Sequence, residues 1–463
     1  MKKITFIILM SILTVAAFAQ DITGQWNGVL KVSGMQLRIV FNIAKTDTGY
    51  TSTMDSPDQG AKGIPVTSTT FENSILNLKI ANAGIEYEGE FKEGSFVGNF
   101  KQRGQSLVLE LKRDIIAKPE VVRPQEPKKP YPYYSEDITF RNERANIKLS
   151  GTLTLPVKGG NFPVVVLITG SGPQNRDEEL MGHKPFLVVS DYLTRNGIAV
   201  LRYDDRGVAH SEGDFKAATS EDFASDVEAA IAYLKTRKEI NKKKIGLIGH
   251  SEGGIIAPMV AAKSKDVKFI VLLAGTGLQG NQILLLQQEL IGRASGISEI
   301  ELQKSREINT DVFEIVIKST NTAALNKDIT DYLTQNFKES PDAQKTDGMS
   351  EADAVKLQVD RITSPWMVYF IKYNPATALE KVKCPVLALN GEKDMQVPPK
   401  ENLSAIKAAL AKGGNKNVTA IELPNLNHLF QECKTGSPAE YAQIEQTFSP
   451  VALAEIAKWI NQK

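Results

Sequence analysis

The chain has little of several things, and each shortage narrows what it can be. It holds 2 cysteines, Cys384 and Cys433, in 463 residues. That is too few for a disulfide framework, and the expectation is two unpaired, buried thiols. It holds 4 histidines, His183, His210, His250 and His428. None stands at metal-ligand spacing from another His or from a Cys. Neither charge sign is in surplus, with 55 Lys plus Arg against 54 Asp plus Glu. A dedicated nucleic-acid binder shows a basic excess, so no nucleic-acid partner is expected. A polybasic membrane patch has no support either. Past the N-terminus no apolar run reaches the roughly 18 residues of a membrane span. What is there is ordinary: 42% hydrophobic and 24% charged residues, which argues against wholesale disorder. At about 150 residues per domain the length predicts roughly three structural units.

The first 19 residues read as a signal peptide. Lys2 and Lys3 precede an apolar stretch over residues 4–16, interrupted only by Thr5, Ser11 and Thr14, and Ala17-Phe18-Ala19 has the A-x-A form of a cleavage site. Cleavage after Ala19 would start the mature chain at Gln20. No Cys follows that site, so no lipoprotein anchor is expected. The expectation is an exported protein, periplasmic or extracellular, with no membrane span after cleavage.

Residues 20–113 predict a small all-β domain. Leu37, Ile39, Phe41 and Ile43 alternate with Arg38, Val40 and Asn42. Leu76, Leu78 and Ile80 alternate again, as do Leu107, Leu109 and Leu111. Period two with turn-rich gaps gives antiparallel strands with one buried face. A barrel or sandwich of six to eight strands is expected, its partner or glycan ligand left open. Pro119, Pro124, Pro127, Pro130 and Pro132 then mark residues 114–135 as a semi-rigid linker.

From 136 onward, apolar runs of strand length alternate with amphipathic helices. The runs are 164–168, 198–201, 245–248, 269–273 and 386–389. Uninterrupted apolar strands suit a parallel sheet buried on both faces. Phe223, Val227, Ile231 and Leu234 mark a helical stripe opened by Ser220 or Thr219 as N-cap. This is the alternation of a doubly wound α/β domain. Residues 278–380 contain no strand run but have helical spacing, which predicts a helical cap inserted between two sheet strands.

The chemistry concentrates in a few places. Gly249-His250-Ser251-Glu252-Gly253 joins a strand to a helix-like run, the context in which G-x-S-x-G forms a nucleophile elbow. A serine needs a base, and His is the usual one. His428, on the loop after a strand over 418–422, is the candidate. His250 adjoins the serine and should point away from it, and His183 and His210 come too early in the chain. Asp394, just past the apolar strand 386–389, is the candidate orienting acid, with Glu392 as the alternative. A carboxylate there lies on the C-terminal rim of the sheet. The order Ser251, Asp394, His428 matches the α/β-hydrolase order. An oxyanion hole would take the Glu252 N–H and one amide of the loop Thr169-Gly170-Ser171-Gly172-Pro173. Ser171 is favoured there, with Gly170 or Gly172 open.

These pieces, together with Gly170 through Asp177 and Tyr203-Asp204-Asp205-Arg206-Gly207, resemble the α/β-hydrolase superfamily, in its bacterial esterase and serine-aminopeptidase-like branch. The resemblance covers residues 136–463 and not 21–113. It departs at Thr169-Gly170, where many relatives have His-Gly. It implies an α/β-hydrolase fold with an inserted helical cap, preceded by the small all-β domain. It also implies a serine hydrolase on a small-molecule acyl substrate, most simply a carboxylic ester, with peptide as the alternative and a non-catalytic binding protein as a remote one. No metal or organic cofactor is expected. Arg206 is expected to pair with an aspartate as a structural contact that holds the loop beneath the elbow. Trp366, Tyr369, Phe370 and Tyr373 either line an acyl pocket or pack the cap.

Overall fold

The computed structural model describes residues 21–32, 35–59, 61–102, 105–116, 123–339 and 350–463. The expected signal peptide lies outside the described residues. Two compact units divide the chain near residue 118.

Among the described residues the first unit contains nine strands: β1 Gly24–Val32, β2 Met35–Thr46, β3 Gly49–Ser56, β4 Ala61–Pro65, β5 Ser68–Glu72, β6 Ile75–Ile80, β7 Ile85–Lys92, β8 Ser95–Gln102 and β9 Gln105–Leu111. They run in order as a four-stranded and a five-stranded sheet. Backbone bonds between Asn27 and Lys112 join β1 to the end of β9, and Val66 N–H donates to the Ser52 carbonyl in β3. The alternating residues Ile39, Phe41, Ile43, Leu76, Leu78, Ile80, Leu109 and Leu111 face one shared core. Burying one such aliphatic side chain is worth about 1.5–3 kcal/mol. The six to eight strands expected from sequence become nine. The extra ones, β4 and β5, are five residues long and lack a clean apolar alternation. Backbone pairing to β3 and β6 defines them.

The second unit carries an eight-stranded sheet. Its strands are β10 Tyr134–Asn142, β11 Ile147–Leu155, β12 Phe162–Ile168, β13 Ala199–Tyr203, β14 Ile240–His250, β15 Val267–Leu273, β16 Val386–Gly391 and β17 Val418–Leu423. The order is β10-β11-β13-β12-β14-β15-β16-β17. β11 pairs antiparallel with both β10 and β13, and the pairs from β13 onward are parallel. The helices α1 Pro185–Arg195, α2 Ser220–Thr236 and α3 Gly253–Ala261 follow β12, β13 and β14. Phe223, Val227, Ile231 and Leu234 of α2 are buried, as the stripe predicts. Thr219 is the N-cap, and its N–H and hydroxyl both donate to Asp222. The apolar strands have a core on each face, which is why their sequences show no alternation. This is the α/β-hydrolase fold.

The cap lies between β15 and β16. It comprises α4 Gly280–Ala294, α5 Glu299–Lys318, α6 Thr322–Glu339, α7 Glu351–Ile362, α8 Pro365–Lys372 and α9 Ala376–Leu379. Val312, Phe313, Ile329, Leu333 and Val359 give it a small core of its own. Two helices close the fold, α10 Pro399–Lys412 and α11 Pro450–Asn461. Within the linker, residues 117–122 lie outside the described residues. From Arg123 on it is no free spacer. Arg123 donates to the Ile444 and Ala442 carbonyls, and Gln125 bonds both Thr447 and Phe448. Cys384 and Cys433 are unpaired and only half-buried.

Candidate active site

Neighbouring strands bring the site together. β12 and β14 pair in parallel, with Ile168 opposite Gly249. Their connections leave in opposite directions, since β13 lies on one side of β12 and β15 on the far side of β14. That is a switch point, where a crevice opens at the carboxyl ends of the strands. The loop after β12 and the turn after β14 therefore meet there.

Ser251 occupies the turn between β14 and α3 with φ of +53°. A non-glycine residue in the left-handed region costs of the order of 1–3 kcal/mol. Its N–H donates to the Leu273 carbonyl at 2.8 Å, which helps hold it. The two flanking glycines have no alternative. A Cβ on Gly249 would lie 1.9 Å from the Gly253 carbonyl oxygen, and one on Gly253 would lie 2.2 Å from that of Ile168.

His428 and Asp394 come together as expected. His428 Nδ1 lies 2.8 Å from Asp394 Oδ2, and both residues are buried. Asp394 also accepts from Asn390 Nδ2 at 3.3 Å and from the backbone N–H groups of Gln396 and Val397. A carboxylate is acceptor-only, and all four partners donate. The Asn427 side chain shapes the His428 loop by accepting from the N–H groups of Leu429 and Gln431. Among the described residues, neither Ser251 Oγ nor His428 Nε2 has a hydrogen-bond partner, and both residues line one cavity of about 260 Å³.

The alternatives resolve by their partners. Glu392 is exposed and accepts from the Asn425 N–H at 2.8 Å, so Asp394 alone reaches His428. Gly170 N–H is taken up by Glu178 Oε1 at 2.7 Å. The Ser171 and Glu252 N–H groups have no partner among the described residues, and both residues line the cavity. Asp205 anchors the loop by accepting from Thr169 Oγ1 and the Gln174 N–H. Burial pushes the Asp205 carboxyl well above its ordinary range. Arg206 pairs with an aspartate as expected, Asp226 of α2 at 2.7 Å. Asp204 instead holds Arg176.

The Glu252 side chain has a second task. Its Oε1 accepts from Ser220 Oγ at 2.6 Å and from the Trp366 indole at 2.8 Å. Burial pushes its carboxyl up, against the hydrogen bonds from Ser220, Trp366 and Ser171. The cap aromatics divide. Trp366 and Phe370 stack and line the cavity with Met367 and Ile283. Tyr369 and Tyr373 stack on each other and pack against the core.

His183 is buried between Thr447 and the Tyr441 carbonyl, and burial lowers its pKa to about 4. His210 is exposed. His250 points away from Ser251, toward Glu178 and the His428 carbonyl. Glu178 was not legible in the sequence. The only signal is an acidic run, Asp177-Glu178-Glu179, directly after the oxyanion loop. Among the described residues no group of three or more His, Cys, Asp or Glu could hold a metal.

The sequence pattern described as X-Pro dipeptidyl-peptidase (S15 family) matches residues 145–428, more than half of the chain. The chain belongs to the S15 family. The matched stretch of this S15 chain runs from β11 to His428 and so takes in the elbow, the acid and the cap. The chain is 25% identical over 377 residues to the esterase EstD of Thermotoga maritima, covering 80% of this chain and 74% of EstD. Among solved structures, it is similar to the Pyrococcus furiosus esterase Pf2001, at 17% identity with 75% of this chain and 99% of that one covered and a TM-score of 0.44. Est1E from Butyrivibrio proteoclasticus, solved with ferulic acid bound, is 17% identical, with 70% and 96% covered and a TM-score of 0.39. At those scores the superpositions add nothing to the topology already described.

Proposed function

We propose that this S15 chain is an exported serine hydrolase that cleaves carboxylic esters through an acyl-enzyme on Ser251. One observation carries the reading. Ser251, the unpartnered Nε2 of an Asp394-held His428, and two unpartnered N–H groups share a single cavity. His428 takes the hydroxyl proton as Ser251 Oγ bonds to the acyl carbon. The oxyanion rests on the Ser171 and Glu252 N–H groups. His428 passes its proton to the departing alkoxide as the ester C–O bond breaks. Water then adds to the acyl-enzyme by the same route and frees the acid. The sequence of steps needs no metal or organic cofactor.

Two things support ester over peptide. EstD is an esterase by name. The two carboxylates lining the cavity are buried, and one oxygen of each already meets two partners, Glu178 with Gly170 and His250, Glu252 with Ser220 and Trp366. A peptidase acting on free N-termini would want a carboxylate for the ammonium. The second reading is a serine peptidase, aminopeptidase-like or releasing X-Pro dipeptides, which the family description favours.

Residues 20–463 assayed on a short p-nitrophenyl ester, an aminoacyl p-nitroanilide and an X-Pro p-nitroanilide separate the readings. Ester turnover that vanishes in Ser251→Ala is expected, whereas exclusive anilide turnover selects the peptidase. Turnover untouched by the substitution overturns both. Expression with the native leader tests export: the secreted form should begin at Gln20, and retention in the cytoplasm at full length overturns it.

A further inference from the structure

Behind the candidate base lies a second carboxylate–imidazole pair that the proposed reaction does not use. Glu178 is 4% exposed and His250 6%, and Glu178 sits in the left-handed region at φ +51°. One oxygen, Oε1, accepts both the Gly170 N–H at 2.7 Å and His250 Nδ1 at 3.0 Å. The other, Oε2, is buried with no partner among the described residues. Across the ring, His250 Nε2 lies 3.0 Å from the His428 carbonyl oxygen. A carboxylate and a carbonyl can only accept. With Glu178 ionised, both ring nitrogens carry hydrogen, a protonation assigned from the partners, which makes His250 an imidazolium. Its ring centre is 4.9 Å from that of His428.

We propose that Glu178 and His250 are positioning residues for the hydrolysis, an ion pair that fixes the oxyanion loop and the base loop relative to one another around Ser251. This rests on the serine hydrolase reading. Gly170 directly precedes the candidate donor Ser171, and glycine is the least restrained of residues. The direction of the Ser171 N–H therefore depends on an outside anchor, and Glu178 supplies it by gripping the Gly170 N–H. The same oxygen grips His250, whose far N–H holds the backbone of His428 through a charge-assisted bond. A chain of three hydrogen bonds thus runs from the oxyanion loop to the base. A Cβ on Gly170 would sit 3.3 Å from Ser251 Cβ and 3.4 Å from Glu178 Oε1, so the nucleophile is part of the same packed cluster.

Glu178→Ala, Glu178→Gln, His250→Gln and Ser251→Ala, each in the full chain, test the proposal. They are assayed on a p-nitrophenyl ester with active sites counted by fluorophosphonate and melting followed in parallel. Glu178→Ala is expected to lower kcat per titrated site about 100-fold, the order seen when an oxyanion donor is lost, with KM within about threefold. Glu178→Gln keeps an amide oxygen for Gly170 and should recover at least about tenfold of that loss. His250→Gln should lose at least about tenfold in kcat, and it decides the matter if Glu178→Ala does not fold. A kcat within about threefold of the parent in the folded variants overturns the proposal, whatever the melting temperatures. Equal losses in Glu178→Ala and Glu178→Gln overturn it as well. Ser251→Ala keeps the two readings apart. If it is inactive while the other variants match the parent, only the positioning role falls. If it matches the parent, the hydrolase reading falls.

Discussion

The indole N–H of Trp366, on cap helix α8, donates to the carboxylate of Glu252, the residue immediately after Ser251. The cap is thereby tied to the elbow at the point where the oxyanion would form. Trp366 also stacks on Phe370 at 5.0 Å between ring centres, so this one bond sets where the apolar wall of the cavity stands. Trp366→Phe keeps a ring and removes the donor. Losing a hydrogen bond to a buried group costs about 1–3 kcal/mol. A lower melting temperature is expected, with a change in relative kcat/KM across p-nitrophenyl esters of increasing acyl length. An unchanged chain-length profile would mean that the wall does not depend on the bond.

Glu252→Gln separates side chain from backbone. Burial raises the folded-state pKa of this carboxyl above its ordinary value, so folding shifts the group toward its neutral form. The sign follows: the charge opposes folding once the pH exceeds the unfolded pKa, and that cost is relieved as pH falls. At neutral pH the glutamine variant, which still accepts from Ser220 and Trp366, should melt higher than the parent. Its kcat/KM on neutral esters should stay within about threefold, because the oxyanion donor is the backbone N–H. A large loss in kcat with unchanged KM would give the carboxylate itself a part in the chemistry.

Asp394→Asn should lower kcat by about 10⁴, because an amide can present its NH₂ to His428 Nδ1 and favour the wrong tautomer. Ser251→Ala should lose on the order of 10⁶ and all fluorophosphonate labelling. Neither residue's replacement should shift KM strongly. Asp394→Asn with near-parental kcat would point back to Glu392 and away from the geometry found here.

His183 makes an acid-sensitive contact with the segment that follows the base, touching Gln431, Tyr441 and Thr447. Burial depresses its pKa to about 4, against about 6.5 unfolded. Between those values the unfolded chain binds the extra proton, so stability rises with pH across that window. The contribution is complete above about 6.5 and lost as pH falls toward 4, roughly 3 kcal/mol in all. Urea unfolding at pH 4.5 and 7 should show this loss in the parent and a smaller one in His183→Gln. Equal pH dependence in the two would exclude His183 as the source.

The α/β architecture was legible because a sheet buried on both faces leaves uninterrupted apolar runs, and five of these appear in β12 to β16. Ser251, Asp394 and His428 were legible for a related reason. Each follows the end of a strand, and strand ends are visible in sequence. The first unit was read less well. β4 and β5 owe their existence to neighbours across the sheet, and pairing of that kind has no local pattern. The Trp366–Glu252 bond spans 114 residues and the Glu178–His250 bond 72, so no spacing could announce either.

The sequence by itself determined the order of strands and helices, the elbow glycines and the chain order of nucleophile, acid and base candidates, because these depend on local sterics and hydrophobic period. Tertiary structure alone decided which amide of the 169–173 loop is taken up, which carboxylate faces His428, which cap aromatics reach the cavity and what His250 contacts. Each of those is a competition among several groups for the same few hydrogen-bond or packing partners. Such a competition is settled by distances of a few tenths of an ångström between segments far apart in the chain.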